Sequence, residues 1–549
     1  MKTSHIPVPS PLILWTTVRS VGAFNVACSC VALWAFAKVL RVLRWRLKTT
    51  QLRGPPRTNF IYGVSHDLAS SQDRGGMYER WAMEYGVAYM IPSVLGQTVV
   101  VLSDPRAIAH FFTRDTWTYM QTPLSLALLE TLMGRGLLWS QGEDHRRQRK
   151  ALTPAFSNAA IRKLTSVFYD SAYKAKGAWD TAIESSKDGY AVIEVQNWMN
   201  HISLDTIGIA GFSHDFGSLD GKRASVTKVF DTFGNNQQAS TVNKVLRLLA
   251  SPFPIITKMP TKRSNLMKKL SETMEEISND LLVRSRREKD VNMSERDEEK
   301  SIIGLLIKSE GQDAELRMSK EQVVAQMKVL LVAGYETTSI SLTWALIDLS
   351  RRPDVQTRLR EELLVFGADP TYDQLKANLP YLDAVVHEIL RLHPPLDEFS
   401  RLAVADDVIP LSEPVRTESG EMTDSICIAK GTLITISGAA INRSSAIWGP
   451  DAKEFKPDRW LTEDVIGKAK EVQGHRHLLT FADGPRTCLG KDFALTEFKT
   501  VLSVLVKNFV FEMRDGPDTQ VEVARGIFPR PRVVGEDGIG TPLRVRRYE

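Results

Sequence analysis

The decapeptide Phe481-Ala-Asp-Gly484-Pro-Arg486-Thr-Cys488-Leu-Gly490 places one cysteine among glycines and close to an arginine. A thiolate is the protein ligand that donates enough electron density to haem iron to favour cleavage of an O–O bond. Such a sulfur has to be ionised and shielded, and glycines let backbone N–H groups approach it closely. Arg486 cannot ligate iron, but its guanidinium suits a haem propionate. The stretch therefore predicts a loop that presents Cys488 to haem iron. For the cysteine alone, a place in the core would be the ordinary interpretation.

An apolar pattern with helical spacing follows this loop, from Phe493 to Phe509. It predicts a helix whose N-terminus lies beside Cys488. Because a helix N-terminus carries partial positive charge, it would stabilise the thiolate.

A second predicted helix is unusually long. Ser319 and Gln322 form a capping box at its start, and Pro353 ends it about thirty residues later. Such a length exceeds that of most helices, so this one should cross the whole domain. Gly334 and the neighbouring threonines predict a local kink or groove at mid-span.

An acid and an alcohol, Glu336 and Thr337, lie next to that glycine. If they face the iron, they would relay protons from water to the oxygen being activated. The plainer interpretation is a polar stripe on an amphipathic helix.

Glu388 and Arg391 share one face of another predicted helix, which Pro394 and Pro395 stop. An exposed pair of this kind contributes little stability. Arg459, in the segment Phe-Lys-Pro-Asp-Arg-Trp, supplies a further guanidinium.

These segments, in this order, resemble the signatures of the cytochrome P450 superfamily over roughly residues 55–549. The resemblance implies the P450 fold, mainly α with small β-sheets, and a haem b cofactor ligated by Cys488. It implies oxygen activation by Glu336 and Thr337, and a buried structural triad of Glu388, Arg391 and Arg459. The family's remaining haem-binding positions fall on His145, Arg149, Arg401, Phe481, Gly484, Arg486 and Gly490. Many members carry Trp where this chain has His145.

The first 66 residues contain nine Lys or Arg and no Asp or Glu, so the net charge of +5 comes from this segment. The basic balance therefore indicates a membrane-proximal segment and gives no support for nucleic-acid binding. Eighteen uncharged residues, Ser20 to Ala37, are just long enough to span a bilayer. The basic residues that follow place the C-terminal side in the cytosol. A signal peptide cleaved after Ala37 is the alternative.

The expected organisation is a lumenal segment 1–19, a membrane anchor 20–37, a basic, proline-containing linker 38–56 and a catalytic domain 57–549. Residues 98–102 and 432–436, rich in β-branched side chains, predict strands. The resemblance to fungal microsomal P450s implies a single-pass protein of the endoplasmic reticulum membrane.

The expected function is a haem-thiolate monooxygenase that inserts one oxygen atom from O2 into a lipophilic substrate, such as a terpenoid secondary metabolite or an aromatic xenobiotic. No dinucleotide fingerprint is found in the sequence, so electrons should come from NADPH-cytochrome P450 reductase, with cytochrome b5 as a further donor. Arg146, Arg147 and Lys491 are the cations expected to receive an acidic reductase. A haem-thiolate isomerase or dehydratase and a haem-based sensor remain as alternatives. The sequence does not indicate which substrate is oxidised.

Overall fold

The computed structural model describes residues 42–222, 253–291, 301–304, 316–525, 528–536 and 540–549, with a few isolated positions elsewhere. The expected lumenal segment 1–19 and most of the expected anchor 20–37 lie outside the described residues. Within them the chain is mainly helical with small sheets, as the sequence predicted.

The helices begin with α1 Ser65–Ser70, α2 Arg74–Tyr85, α3 Pro105–Thr113, α4 Pro123–Met133, α5 Gly142–Leu152, α6 Asn158–Glu184 and α7 Val195–Phe212. They continue with α8 Lys262–Val291, α9 Lys320–Arg351, α10 Pro353–Phe366, α11 Tyr372–Ala377, α12 Pro380–Leu392, α13 Gly438–Asn442, α14 Ser445–Trp448 and α15 Lys491–Asn508.

The strands are β1 Ala88–Pro92, β2 Thr98–Leu102, β3 Tyr119–Gln121, β4 Tyr190–Glu194, β5 Phe399–Ala403, β6 Asp407–Arg416, β7 Met422–Ile428, β8 Leu433–Ile436, β9 Phe509–Met513, β10 Val521–Arg525, β11 Pro529–Val533 and β12 Pro542–Arg547. The largest sheet has the order β1-β2-β8-β5-β3, and smaller sheets pair β4-β12-β9, β10-β11 and β6-β7. In the largest sheet β2 runs parallel to β8, with Val100 opposite Ile434. The strand predicted at 98–102 is confirmed, and the one predicted at 432–436 begins one residue later.

Helix α9 is the centre of the core. Ser319 and Gln322 make the predicted capping box, and the helix ends at Arg351, directly before the Arg352-Pro353 step. Side chains on all its faces are buried against α7, α8 and α15. A helix that is buried on every side lies in the interior of the domain, as expected for one of this length.

Among the described helices, α9 is also the one long and apolar enough to span a membrane by composition. Because 72% of its most apolar window is buried within the protein, its hydrophobicity is explained by the core.

The second half of the expected linker 38–56 contacts the rest of the described structure. The Trp45 indole donates to Thr432 Oγ1 at 2.7 Å, and the Thr50 N–H donates to the Cys427 carbonyl at 2.9 Å. Lys48 also pairs with Asp406. Residues 45–50 are therefore docked on the strands that end near Cys427 and Thr432.

Candidate active site

The loop that carries Cys488 is held by backbone contacts. The Cys488 N–H donates to the Phe481 carbonyl at 2.8 Å, which closes the loop on itself. Gly484 has φ of +65°, and a Cβ there would lie 2.2 Å from the Phe112 carbonyl oxygen, so no other residue fits without displacing α3. Gly490 is less restricted, because a Cβ there would meet only Phe156, at 3.8 Å.

The Cys488 side chain keeps accessible surface although protein surrounds it deeply, so the sulfur faces an internal space. Burial raises the pKa of the thiol, while the Gly490 N–H and the cations Arg149 and Lys491 oppose that shift. Helix α15 begins at Lys491, directly after Gly490, as predicted. Its N-terminus therefore lies where it favours a thiolate.

A cationic cluster lies beside this loop. Arg401 binds Asp115 through two hydrogen bonds of 2.8 and 2.9 Å, and both side chains are buried. The Arg486 guanidinium donates to the Ser140 carbonyl at 2.5 Å, but its buried Nε lies 3.6 Å from Asp115, without a hydrogen-bond partner in the described part of the chain. Burial lowers the pKa of Arg486 to about 10.

His145 and Arg149 complete the cluster from helix α5. Burial, together with the charges of Arg486, Arg149 and Arg401, lowers the pKa of His145 to about 3, so its imidazole is neutral. Burial also lowers the pKa of Arg149, while the nearby Cys488 raises it. Arg401 and Arg486 thus lie close to one carboxylate, Asp115, while Arg149 lies near Cys488, so the cluster carries an excess of positive charge.

The side chains of Glu336 and Thr337 on α9 point in different directions. Thr337 and Ala333 are separated by one helical turn, and Ala333 is exposed in the middle of an otherwise buried helix. This face therefore borders an internal space, and Thr337 Oγ1 donates to the Ala333 carbonyl at 2.7 Å. The helix runs without interruption through Gly334, where a Cβ would come within 2.7 Å of the Ile207 side chain. Gly334 is thus explained by the close approach of α7.

Glu336 lies on a different face of the same turn. Its carboxylate is paired with Arg530 of β11 at 2.7 Å, and both side chains are buried. The acid that the sequence assigns to proton delivery is therefore held by an ion pair to the strand after residues 525–528.

The predicted triad is brought together in one fully buried network. Glu388 accepts two hydrogen bonds from the Arg391 guanidinium, each at 2.8 Å, and one from Arg459 at 3.0 Å. The backbone of Lys456 and the indole of Trp460 donate to the same carboxylate, each at 2.9 Å. A carboxylate with five donors locks α12 to the segment around Trp460.

Asp115 and Arg530 are site residues that sequence reasoning missed. Both lie in segments without a motif, and no local pattern distinguishes them from surface residues. Their partners lie far away in the chain, so only the fold reveals them.

The comparisons with known proteins agree with this geometry. The sequence profile of the family described as Cytochrome P450 matches residues 53–531. Cytochrome P450 monooxygenase claP of Ampulloclitocybe clavipes is 55% identical over 538 residues, which cover 97% of this chain and 100% of that protein. Cytochrome P450 monooxygenase 205 of Postia placenta is 34% identical over 553 residues, which cover 97% of this chain and 99% of that protein.

The chain belongs to the cytochrome P450 family, and it is a P450 monooxygenase. Enzymes of this family contain haem, use O2 and a redox partner, and act on small-molecule substrates. The residues present fit such a cofactor. The excess of positive charge and the unpartnered Nε of Arg486 suit the propionates of haem, and the accessible sulfur of Cys488 lies near Arg149.

Proposed function

We propose that this monooxygenase holds haem b through the Cys488 thiolate and oxidises a lipophilic small molecule at the endoplasmic reticulum membrane. The single observation that carries the proposal is the juxtaposition of an accessible cysteine with a buried cluster of three arginines that has one carboxylate, Asp115, among its described partners. When bound, haem supplies the activation of O2 and the transfer of one oxygen atom to the substrate.

The cationic cluster orients the cofactor. Arg149 and Arg486 each offer donors to a propionate, and neutral His145 offers one N–H, which replaces the indole N–H of members that carry Trp. Arg401 acts differently, because Asp115 already takes two of its donors. Its remaining contribution is positive charge.

Proton delivery is assigned to α9. Thr337 lies on the accessible face, and its hydroxyl donates a hydrogen bond to the Ala333 carbonyl. Its oxygen can therefore accept a hydrogen bond from a water molecule or another donor. Glu336 can pass protons toward Thr337 only when its ion pair with Arg530 opens. Arg530 therefore holds the Glu336 carboxylate away from Thr337 while the ion pair is formed.

Electrons are proposed to come from NADPH-cytochrome P450 reductase, with cytochrome b5 as a second donor. A cleft of about 500 Å³ beside the Cys488 loop is lined by His145, Arg146, Arg149 and Lys150. Arg146 is largely exposed there, whereas Arg147 is bound by Asp144 and Gln322. An acidic partner would be steered to this cleft by Arg146 and Lys150.

The proposal of a lipophilic substrate is based on the apolar surface near residues 253–259. Phe253, Ile255 and Met259 are 44, 70 and 47% exposed, around a short helical turn that precedes α8. Apolar side chains grouped at the surface mark a site of interaction with a membrane or ligand. Terpenoids and aromatic xenobiotics are the substrate classes that suit such an entrance.

The test of the ligand is carbon monoxide difference spectroscopy. The reduced protein should show the red-shifted Soret band of thiolate-ligated haem, and Cys488→Ala should abolish it. Cys427→Ala is the matched control, since that cysteine lies exposed in strand β7. A Soret band that persisted unchanged in Cys488→Ala would assign the ligand to another residue.

A further inference from the structure

Two histidines meet beside the loop that carries Cys488. His387 lies on α12, directly before Glu388, and His475 lies in the turn that precedes Phe481. Their Nε2 atoms are 3.2 Å apart, which is a hydrogen-bond distance. These two residues, the histidine pair, come from segments that are 88 positions apart in the chain.

Each imidazole is also held on its other side. His387 is 2% exposed, and its Nδ1 donates to the Asp383 carbonyl at 2.8 Å, since a carbonyl oxygen can only accept. The His475 ring packs edge-to-face on the Phe481 ring, with centroids 5.9 Å apart. The Phe481 carbonyl in turn accepts the Cys488 N–H at 2.8 Å. The histidine pair therefore connects α12 to the first residue of the loop that carries Cys488.

The contact between the two Nε2 atoms holds one proton. Because Nδ1 of His387 carries a hydrogen, Nε2 of the neutral His387 ring accepts a hydrogen bond from His475, and Nε2 of the charged ring donates one to it. The contact is therefore kept as long as one of the two rings is neutral. When both rings are charged, two N–H donors face each other and two positive charges lie on rings whose centroids are 5.3 Å apart. The rings then repel each other, and the contact is lost.

The charges around the histidine pair oppose a second proton. One carboxylate and three cations of the described residues face it, namely Asp383, Lys491, Lys499 and Arg476. Asp383 Oδ1 lies 3.3 Å from His387 Nδ1, but Lys499 binds the same oxygen at 2.6 Å. Burial, together with the charges of His387 and of two of these cations, lowers the pKa of His475 to about 3. The closed pair thus binds a second proton only weakly.

We propose that the histidine pair is an acid-sensitive closure of the Cys488 loop, in which a second proton separates His475 from His387 and frees the loop from α12. The proposal rests on the ligation of haem by Cys488, since the expected consequence is loss of that ligand in acid. An exposed imidazole titrates near pH 6.5, above the pKa of His475 in the closed form, so acid favours the open form. The ratio of open to closed form should rise by up to about tenfold for each pH unit below about 6.5.

The test is hydrogen–deuterium exchange of the peptide that spans residues 472–482, in the full-length protein at pH 7 and pH 5. Variants are compared with wild type at the same pH, so that the intrinsic pH dependence of exchange cancels. His475→Gln keeps a hydrogen-bonding group but does not titrate. The excess exchange of wild type over His475→Gln should be about tenfold or more greater at pH 5 than at pH 7. His387→Gln should behave like His475→Gln.

His477→Gln is the matched control. His477 lies in the same turn, but its Nδ1 contacts the Val472 carbonyl at 3.1 Å and not His387. This variant should therefore keep the exchange of wild type at both pH values. Because His475 is partly exposed, His475→Gln decides the test even if the buried His387→Gln does not fold.

The red-shifted Soret band of the reduced carbon monoxide complex is followed in the same proteins, as a fraction of its value at pH 7. Wild type and His477→Gln should lose the band at pH 5, whereas His475→Gln should keep it. Equal exchange, or equal loss of the band, in wild type and His475→Gln at pH 5 would overturn the proposal. Absence of the band from wild type at pH 7 would instead refute ligation by Cys488, and the exchange result would still decide whether the histidine pair closes the loop.

Discussion

The network around Glu388 allows a quantitative prediction. Glu388, Arg391 and Arg459 are completely buried, and Glu388→Ala removes the carboxylate that both guanidiniums share. Arg391 would keep the carbonyls of Asn442, Ala452 and Glu454, and Arg459 would keep Asp451. Arg391 would lose the one carboxylate that it pairs with in the described part of the chain, while Arg459 would keep the Asp451 carboxylate at 3.2 Å.

The expected cost follows from this geometry. Removing one partner of a buried ion pair costs about 3–5 kcal/mol. The Trp460 N–H and the Lys456 N–H would also lose their acceptor, which adds about 1 kcal/mol or more. Since whole proteins are stable by only about 5–15 kcal/mol, Glu388→Ala should lose a large part of the folding free energy and most of its haem.

The assay is urea unfolding followed by tryptophan fluorescence, with haem content measured in parallel. Glu388→Gln keeps acceptor and shape but removes the charge, so it should lie between wild type and Glu388→Ala. Glu413→Ala breaks an exposed pair with Lys468 and should cost less than about 1 kcal/mol. If Glu388→Ala unfolded within about 1 kcal/mol of wild type, the network would not hold the fold in the way that its burial implies.

Three further predictions concern proton delivery, pH and topology. Thr337→Ala should bind haem and carbon monoxide normally but divert NADPH consumption to hydrogen peroxide. Full coupling of NADPH to product in Thr337→Ala would contradict the relay. Arg530→Gln removes the ion pair of Glu336 and should change the solvent isotope effect on turnover. Because the pKa of Glu497 is raised from 4.5 to about 8 in the native state, stability should fall as pH rises between these values. Between pH 5 and pH 8 this fall in the free energy of unfolding should amount to about 3–5 kcal/mol, and Glu497→Gln should remove it. The measurement is the urea midpoint of both proteins at pH 5 and pH 8. Protease added to sealed microsomes should digest the catalytic domain from outside; complete protection, or a mature N-terminus at Lys38, would support the signal peptide instead.

Much of the local structure follows from neighbouring residues alone. The capping box at Ser319 and the proline at 353 set the ends of α9, because caps and prolines act on the backbone within a single turn. The glycines around Cys488 indicate a tight loop for the same reason. The β-branched run at 98–102 indicates its strand through the conformational preference of its own side chains.

The partners of buried charges depended on the tertiary structure. Sequence placed Glu336 beside Thr337, but only the packing of β11 against α9 showed that Arg530 holds it. Arg401 was expected at a propionate, and only the fold showed that Asp115 takes two of its donors.

The surroundings of Glu497 also could not be predicted from the sequence. In the sequence it is one polar position on an apolar helix, which would ordinarily face solvent. Its burial depends on α6 and α9 packing against α15, and those helices come from distant parts of the chain. Local patterns determine what a segment becomes, whereas burial, and with it the pKa of an acid, depends on which segments meet.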